Sequence, residues 1–280
     1  MKPFRTLALA TMLGLITLNT QAANILVVLS DSDHLDLKDG KVFPTGFYLN
    51  ELMQPVKRML DAGHQITFAT PDGNAPTLDK SSDDKMYFNN DEAALQVHRA
   101  LLQKLQLTSS SQSPVISLAR AEQMGYDRFD ALYVPGGHAP MQDLLTDKGL
   151  GKVLKAFHAK NKPTALVCHG PVALLSTLPD AATFTQQLAS KGHASLQAGW
   201  IYSGYRMTVI SNAEEEKAKA LLNGGEMKFY PQTALEQAGG KFSSNKEPFT
   251  PHVVTDRELI TGQNPASANG VADEILKRLN

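Results

Sequence analysis

Pro163-Thr-Ala-Leu-Val-Cys168-His-Gly-Pro171-Val-Ala-Leu-Leu175 is the stretch on which the fold turns. Residues 165–167 form a short apolar run of the kind that makes a fully buried strand. Gly170 and Pro171 then open an apolar helical run, with Pro171 suited to the first helical position. Cys168, the only cysteine of the chain, therefore sits where a strand turns into a helix. A side chain there is lifted out of the sheet on a sharp turn, as in a nucleophile elbow. The free amides and the dipole of the helix start favour a thiolate. The plainer role open to a free cysteine is that of a small buried hydrophobe, so the surrounding residues have to decide.

Outward from this junction, strand-like runs alternate with helical ones. Residues 24–30 (NILVVLS) and 64–70 (HQITFAT) read as strands around a helix over 46–62, whose Leu49, Leu52, Met53, Val56 and Leu60 share one face. Residues 129–134 predict another strand, ending at Pro135-Gly136-Gly137. A helix over 148–161 leads into the Cys168 strand. Further on come a strand over 207–211, a helix over 213–222, a hairpin around Asp256-Arg257 and a closing helix over 266–279. Apolar strands alternating with amphipathic helices predict an α/β fold, a parallel sheet covered on both faces, with sites beyond the carboxyl ends of the strands. Residues 75–125 break the rhythm with a polar stretch, a helix over 92–105 and a Ser-rich turn. They read as an insertion beside the site within a single domain over 23–280.

The N-terminus reads as a secretory signal over residues 1–22. Lys2 and Arg5 precede an apolar run over 7–18, too short for the roughly 20 residues that cross a bilayer, and Thr20-Gln21-Ala22 supplies small residues for cleavage after Ala22. The expected location is periplasmic or secreted, with no membrane contact after cleavage. One cysteine allows no internal disulfide, so stability must come from a core. A net charge of −1 with 20% charged residues argues against nucleic acid as a partner. A lone thiol kept in an oxidising compartment points to chemistry.

Three features accompany Cys168. His169 follows it, and the His169 backbone amide is placed to bind a developing oxyanion. Gly136 and Gly137 let the backbone approach a ligand and offer a second amide. Glu51 lies near the apolar side of the first helix, where a carboxylate is costly unless paired or functional, and burial would raise its pKa into the range of proton exchange near neutrality. His64, His98, His138, His158, His193 and His252 are scattered without paired spacing, so no metal and no cofactor are expected.

Val134-Pro-Gly-Gly-His-Ala-Pro-Met-Gln-Asp-Leu144, Ala165-Leu-Val-Cys-His-Gly-Pro171 and Thr261-Gly-Gln-Asn-Pro-Ala-Ser267 together resemble the ThiJ/PfpI branch of the class I glutamine amidotransferase-like superfamily. Within it the chain is most similar to the glyoxalase III and chaperone-like subgroup, over nearly all of the sequence from Asn24. The resemblance implies a flavodoxin-like three-layer sandwich with a mostly parallel central sheet. It implies Cys168 as nucleophile, Glu51 as the helix carboxylate that contacts the thiol, and His169 as the triad histidine. An acidic partner for the histidine falls in Met207-Thr-Val-Ile-Ser-Asn-Ala-Glu-Glu-Glu216, with Glu215 first and Glu214 next. Gly136, Gly137, His138 and Gly170 stand at the oxyanion and substrate-binding positions.

The function these features imply is a cofactor-free glyoxalase acting on a small dicarbonyl, methylglyoxal or glyoxal. A cysteine hydrolase (amidase, peptidase or deglycase) would use the same thiol with a true Cys168-His169-Glu215 triad. A holding chaperone would need an exposed apolar patch and often a homodimer. A redox sensor would oxidise Cys168 to a sulfinate beside Glu51.

Overall fold

The computed structural model describes residues 22–279. β1 (Asn24–Val28) is followed by a short hairpin, β2 (His34–Asp36) and β3 (Val42–Pro44), then by α1 (Leu49–Asp61) and β4 (Gln65–Thr70). Next come α2 (Glu92–Leu105), β5 (Ile116–Ser117), α3 (Leu118–Met124), β6 (Ala131–Val134), α4 (Lys148–Ala159) and β7 (Thr164–Val167). The C-terminal third holds α5 (Ala181–Lys191), β8 (Arg206–Met207), α6 (Asn212–Ala218), α7 (Pro231–Ala238), β9 (Lys241–Phe242), β10 (Val253–Asp256), β11 (Leu259–Gly262) and α8 (Ala268–Leu279).

Seven strands form one sheet in the order β10-β11-β7-β6-β1-β4-β5. Every pairing in it is parallel except β10 with β11. β1, β6 and β7 are buried along nearly their whole length, as strands covered on both faces must be. One cover is α1 with α2 and α8, and the other is α4 with α3 and the segment after Cys168. This is the α/β sandwich with a mostly parallel sheet that the alternation predicted. The order places the carboxyl ends of β1, β6 and β7 side by side. Glu51, Gly136 and Cys168 come from the chain just beyond those three ends.

The structure departs from the sequence reading in four places, each for a physical reason. Gly170–Thr177 winds as a 3-10 helix where an α-helix was expected. All eight of its residues are buried, so no amphipathic face selects the α period. Its carbonyls are also satisfied from outside, since Trp200 Nε1 donates to the Leu174 carbonyl at 3.1 Å. Of residues 207–211 only Met207 pairs as strand. Beyond it the Thr208 amide donates to Thr261 Oγ1 and the Ile210 amide to the Cys168 carbonyl, so these residues serve the elbow and not a ladder. α5 and α7 gave no signal because each buries only a few small or isolated apolar residues, such as Phe184 and Leu188.

Residues 75–125, expected as an insertion beside the site, divide in two. Those around 77–88 lie against the start of α1, where the Thr77 carbonyl accepts from the Phe47 amide and Ser82 Oγ accepts from the Leu49 amide. The rest belongs to the sandwich: α2 packs on α1, β5 extends the sheet beside β4, and α3 packs on α4. β5 is only two residues long, too short to leave a pattern in the sequence.

α4 fixes the segment that follows the elbow. Gly151 lets the two meet, because a Cβ there would lie 2.5 Å from the Ser176 carbonyl oxygen. In an ordinary helix interior Gly→Ala gains up to about 1 kcal/mol. Here overpacking reverses the sign, and Gly151→Ala is expected to destabilise by about 1–3 kcal/mol in denaturant unfolding. An unchanged or raised midpoint would show that the two segments can separate freely.

Candidate active site

Cys168 adopts φ +60°, a left-handed conformation uncommon for a residue with a side chain. It is held there from both sides: its amide donates to the Gly262 carbonyl at 2.9 Å, and its carbonyl accepts from the Ile210 amide at 3.0 Å. Strain that the surroundings over-determine in this way is a mark of functional positions. The Gly170 that follows is a close-packing residue, since a Cβ there would fall 2.6 Å from the Val134 carbonyl oxygen.

His169 turns back toward the sulfur. Its Nδ1 lies 3.4 Å from Cys168 Sγ, and its Nε2 lies 2.8 Å from Glu215 Oε1. All three residues are buried. Between the two acidic candidates the geometry is decisive. Glu214 Oε1 accepts from the Asn264 side chain and the Phe249 amide, and its Oε2 from the Ser211 amide, the Ser211 hydroxyl and the Gln263 side chain. Glu214 thus ties the Thr261–Ser267 motif to the start of α6, and Glu215 alone faces the histidine. Burial would raise the Glu215 carboxyl, but His169 outweighs it and holds the group below its ordinary value.

Glu51, on the first turn of α1, has no solvent exposure. Its Oε2 accepts from the Gly136 amide at 2.8 Å, and its side chain lies against that of Cys168. A Cβ on Gly136 would sit 2.5 Å from Glu51 Oε2 and 2.7 Å from Cys168 Cβ. Only glycine at 136 therefore lets the acid and the thiol share one space. This corrects the reading of Gly136 as an oxyanion donor, because its amide is already taken by Glu51. Gly137 has φ +83° and abuts the Gly46 carbonyl, where a Cβ would come within 2.0 Å.

Burial pushes the Glu51 carboxyl up to about 8, against the opposing effects of the neighbouring Cys168 and of the Gly136 and Gly137 amides. Burial also pushes the Cys168 thiol well up, and the Glu51 carboxylate pushes it further. The helix start, expected to favour a thiolate, is outweighed at rest. With both groups raised, acid and thiol are protonated together until a base takes one of the protons.

His138 is the third imidazole-side element. Its ring lies tilted against His169 with centroids 4.3 Å apart and meets Phe43 and Tyr48 edge-on. Its Nδ1 has no hydrogen-bond partner among the described residues. Burial and the neighbouring His169 push its pKa down to about 4, so it is neutral.

Sequence reasoning missed the outer wall. Tyr48 packs against Tyr87 at 5.4 Å, and Asp79 accepts from Thr45 Oγ1 at 2.6 Å. Tyr87 and Asp79 come from the 77–88 stretch, which the sequence placed beside the site without singling out either residue. Nor does spacing reveal that His138, His169 and Glu215, scattered along the chain, converge so that one donor atom of each lies within 4.8 Å of the others.

Comparison with known proteins agrees with this geometry. Residues 42–179, which contain Glu51, Gly136, Gly137, His138, Cys168, His169 and Gly170, match the model of the DJ-1/PfpI family. Over that span the chain carries the pattern of the family. A relative in Schizosaccharomyces pombe, "Probable glutathione-independent glyoxalase hsp3103", is 26% identical over 91% of this chain and 98% of its own. "Protein/nucleic acid deglycase HchA" of Pseudomonas aeruginosa (strain UCBPP-PA14) is 24% identical over 91% of this chain and 80% of its own. Among solved structures, glyoxalase III from Candida albicans superposes with a TM-score of 0.61 at 20% identity, covering 91% of this chain and 96% of that one. The Rapid Encystment Protein of Francisella tularensis superposes at 0.69 and 23%, covering 92% and 99%. These two establish the shared DJ-1/PfpI fold.

The buried acid makes stability depend on pH. An unfolded glutamate loses its proton near 4.5, whereas Glu51 keeps it to about 8. Its contribution is full below the lower value and declines as pH rises, by about 3 kcal/mol at pH 7. Glu51→Gln lacks this slope. The wild-type melting temperature relative to Glu51→Gln is expected to fall steadily from pH 5 to pH 8. Parallel curves would mean that Glu51 is ionised in the fold throughout.

Proposed function

We propose that this protein is a glutathione-independent glyoxalase that converts methylglyoxal or glyoxal to a 2-hydroxy acid. The observation that carries the reading is the buried Glu51 carboxyl packed beside the Cys168 side chain across Gly136, with its pKa brought to about 8. A hydrolase triad needs no such acid, whereas moving a proton between two adjacent carbons needs a group that gives and takes one near neutrality. The relatives named for glyoxalase activity support the same reading.

The steps follow from the geometry. His169 Nδ1, 3.4 Å from the sulfur, takes the thiol proton, and the Glu215 carboxylate on Nε2 steadies the imidazolium. The thiolate adds to the aldehyde carbon, and the oxygen takes the Glu51 proton to give a hemithioacetal, which leaves Glu51 ionised. The His169 amide, which donates to no group among the described residues, is placed for that oxygen. Ionised Glu51 removes the hydrogen from the former aldehyde carbon while the neighbouring carbonyl oxygen takes the proton held by His169, giving an enediol; Glu51 then returns its proton to the neighbouring carbon as the first hydroxyl gives its own back to His169. The product is a thioester of the 2-hydroxy acid. Water cleaves it and restores the thiol. The substrate carbonyl is already electrophilic, so these residues supply the binding, proton transfer and charge stabilisation the sequence of steps requires.

A deglycase is the second reading. The intact Cys168-His169-Glu215 relay favours it, as does the similarity to HchA. The two readings part at Glu51.

Glu51→Gln keeps shape and hydrogen bonding but cannot shuttle a proton. Steady-state methylglyoxal turnover is expected to fall by about 10²–10⁴-fold in Glu51→Gln, and to vanish in Cys168→Ser, with both variants folded by circular dichroism. Wild-type turnover in Glu51→Gln would overturn the role given to Glu51 and leave His169 to carry the proton alone. Absence of methylglyoxal turnover in the wild type would overturn the glyoxalase reading and leave the hydrolytic one.

The export signal over residues 1–22 falls outside the described residues but for its last, Ala22, and remains part of the proposal. Lys2, Arg5, the short apolar run and Thr20-Gln21-Ala22 support it. N-terminal sequencing of protein from the native cell is expected to begin at Ala23, in the periplasmic or extracellular fraction. Intact Met1 on protein from the cytosol would refute export.

A further inference from the structure

We propose that His138, His169 and Glu215 form a binding site for a zinc-class divalent cation, which competes for the place of the proton between His169 and Glu215. Two imidazole nitrogens and one carboxylate oxygen lie within 4.8 Å of one another, and all three residues are buried. Three protein ligands of this kind, with a fourth position left open, are the donor set of many reactive zinc sites.

The distances ask only that the His169–Glu215 pair open slightly and that His138 move in toward it. His169 Nε2 and Glu215 Oε1 are 2.8 Å apart. With zinc bonds of about 2.0–2.1 Å to each, they would subtend roughly 85° at the metal. His138 then closes on the pair from the tilted ring beside it. Its Nδ1 is sealed from water and has no hydrogen-bond partner among the described residues. Such an unsatisfied buried nitrogen calls for an explanation, and a cation at this point supplies one.

The sulfur is not a ligand. Cys168 Sγ faces Nδ1 of His169, whereas the cation would sit on Nε2, on the other side of the ring. Metallation of Nε2 leaves the proton on Nδ1, pointing at the sulfur. His169 can then no longer accept the thiol proton, so the cation acts as a reversible off-switch. That consequence rests on the glyoxalase reading; the binding itself does not.

The test uses the tag-free full chain with Zn²⁺ alone, titrated in competition with a chromophoric chelator. One Zn²⁺ per chain is expected for wild type and equally for Cys168→Ser. His138→Phe, which keeps a ring against Phe43, and Glu215→Gln should each weaken binding by at least the roughly 10–100-fold that even an outer-sphere partner is worth. Co²⁺ in place of Zn²⁺ should give visible absorption without a thiolate charge-transfer band, in wild type and Cys168→Ser alike. Melting curves confirm that each variant is folded. Absence of stoichiometric binding, binding that survives both ligand variants, or binding lost in Cys168→Ser would each overturn the site. Zn²⁺ should also suppress methylglyoxal turnover, reversibly with EDTA. Stoichiometric binding with undiminished turnover would uphold the site and refute the role given to His169 in the proposed reaction.

Discussion

A carboxyl without solvent exposure, set against a thiol, is the constraint around which the rest of this protein is arranged. Glu51 can lie behind Cys168 only because residue 136 has no side chain. It stays there because the Gly136 amide and the hydroxyl of Tyr133 reach it, the latter at its backbone carbonyl. Tyr133 is itself fully buried on the central strand β6. The sheet therefore positions the acid through one strand and the thiol through the next. Neither group is on a mobile loop, which is how a site keeps its reacting atoms aligned.

The 77–88 stretch does something different. It joins the sandwich through backbone bonds to Phe47 and through Ser82 at the start of α1. In doing so it satisfies amides that a helix start leaves without partners. Asp79 also contributes to raising the Glu51 carboxyl. A segment that looks like a cover is thus also part of the electrostatic setting of the acid. Changes to it will be felt at the site even where they touch no substrate.

The Cys168 strand, the Gly-Gly turn and the first helix could be read from the sequence because each carries a strong local signal: a buried apolar run, a strand-ending turn, a single-sided apolar stripe. Glu51 was legible as an acid in an apolar place, and its buried, raised state bears that out. What could not be read depends on long-range contact. Glu214 and Glu215 are adjacent and chemically identical, and only the positions of Ser211, Gln263 and Asn264 decide which one faces His169. The resting state of Cys168 was misjudged for the same reason. The helix start is local and visible, but the burial and the facing carboxylate that outweigh it come from β6 and α1. His138 stood in a glycine-rich turn, with nothing to show that it would lie against His169.

Glu214 satisfies five donors from three separate parts of the chain. Replacing it would strand those donors and loosen the turn that presents its neighbour. A random mutagenesis screen scored by activity would then rank position 214 beside the nucleophile, although its carboxylate bonds to none of the reacting groups. Its lesion would be one of assembly: soluble yield and proteolytic resistance would fall together with turnover. At Cys168, turnover alone would be lost.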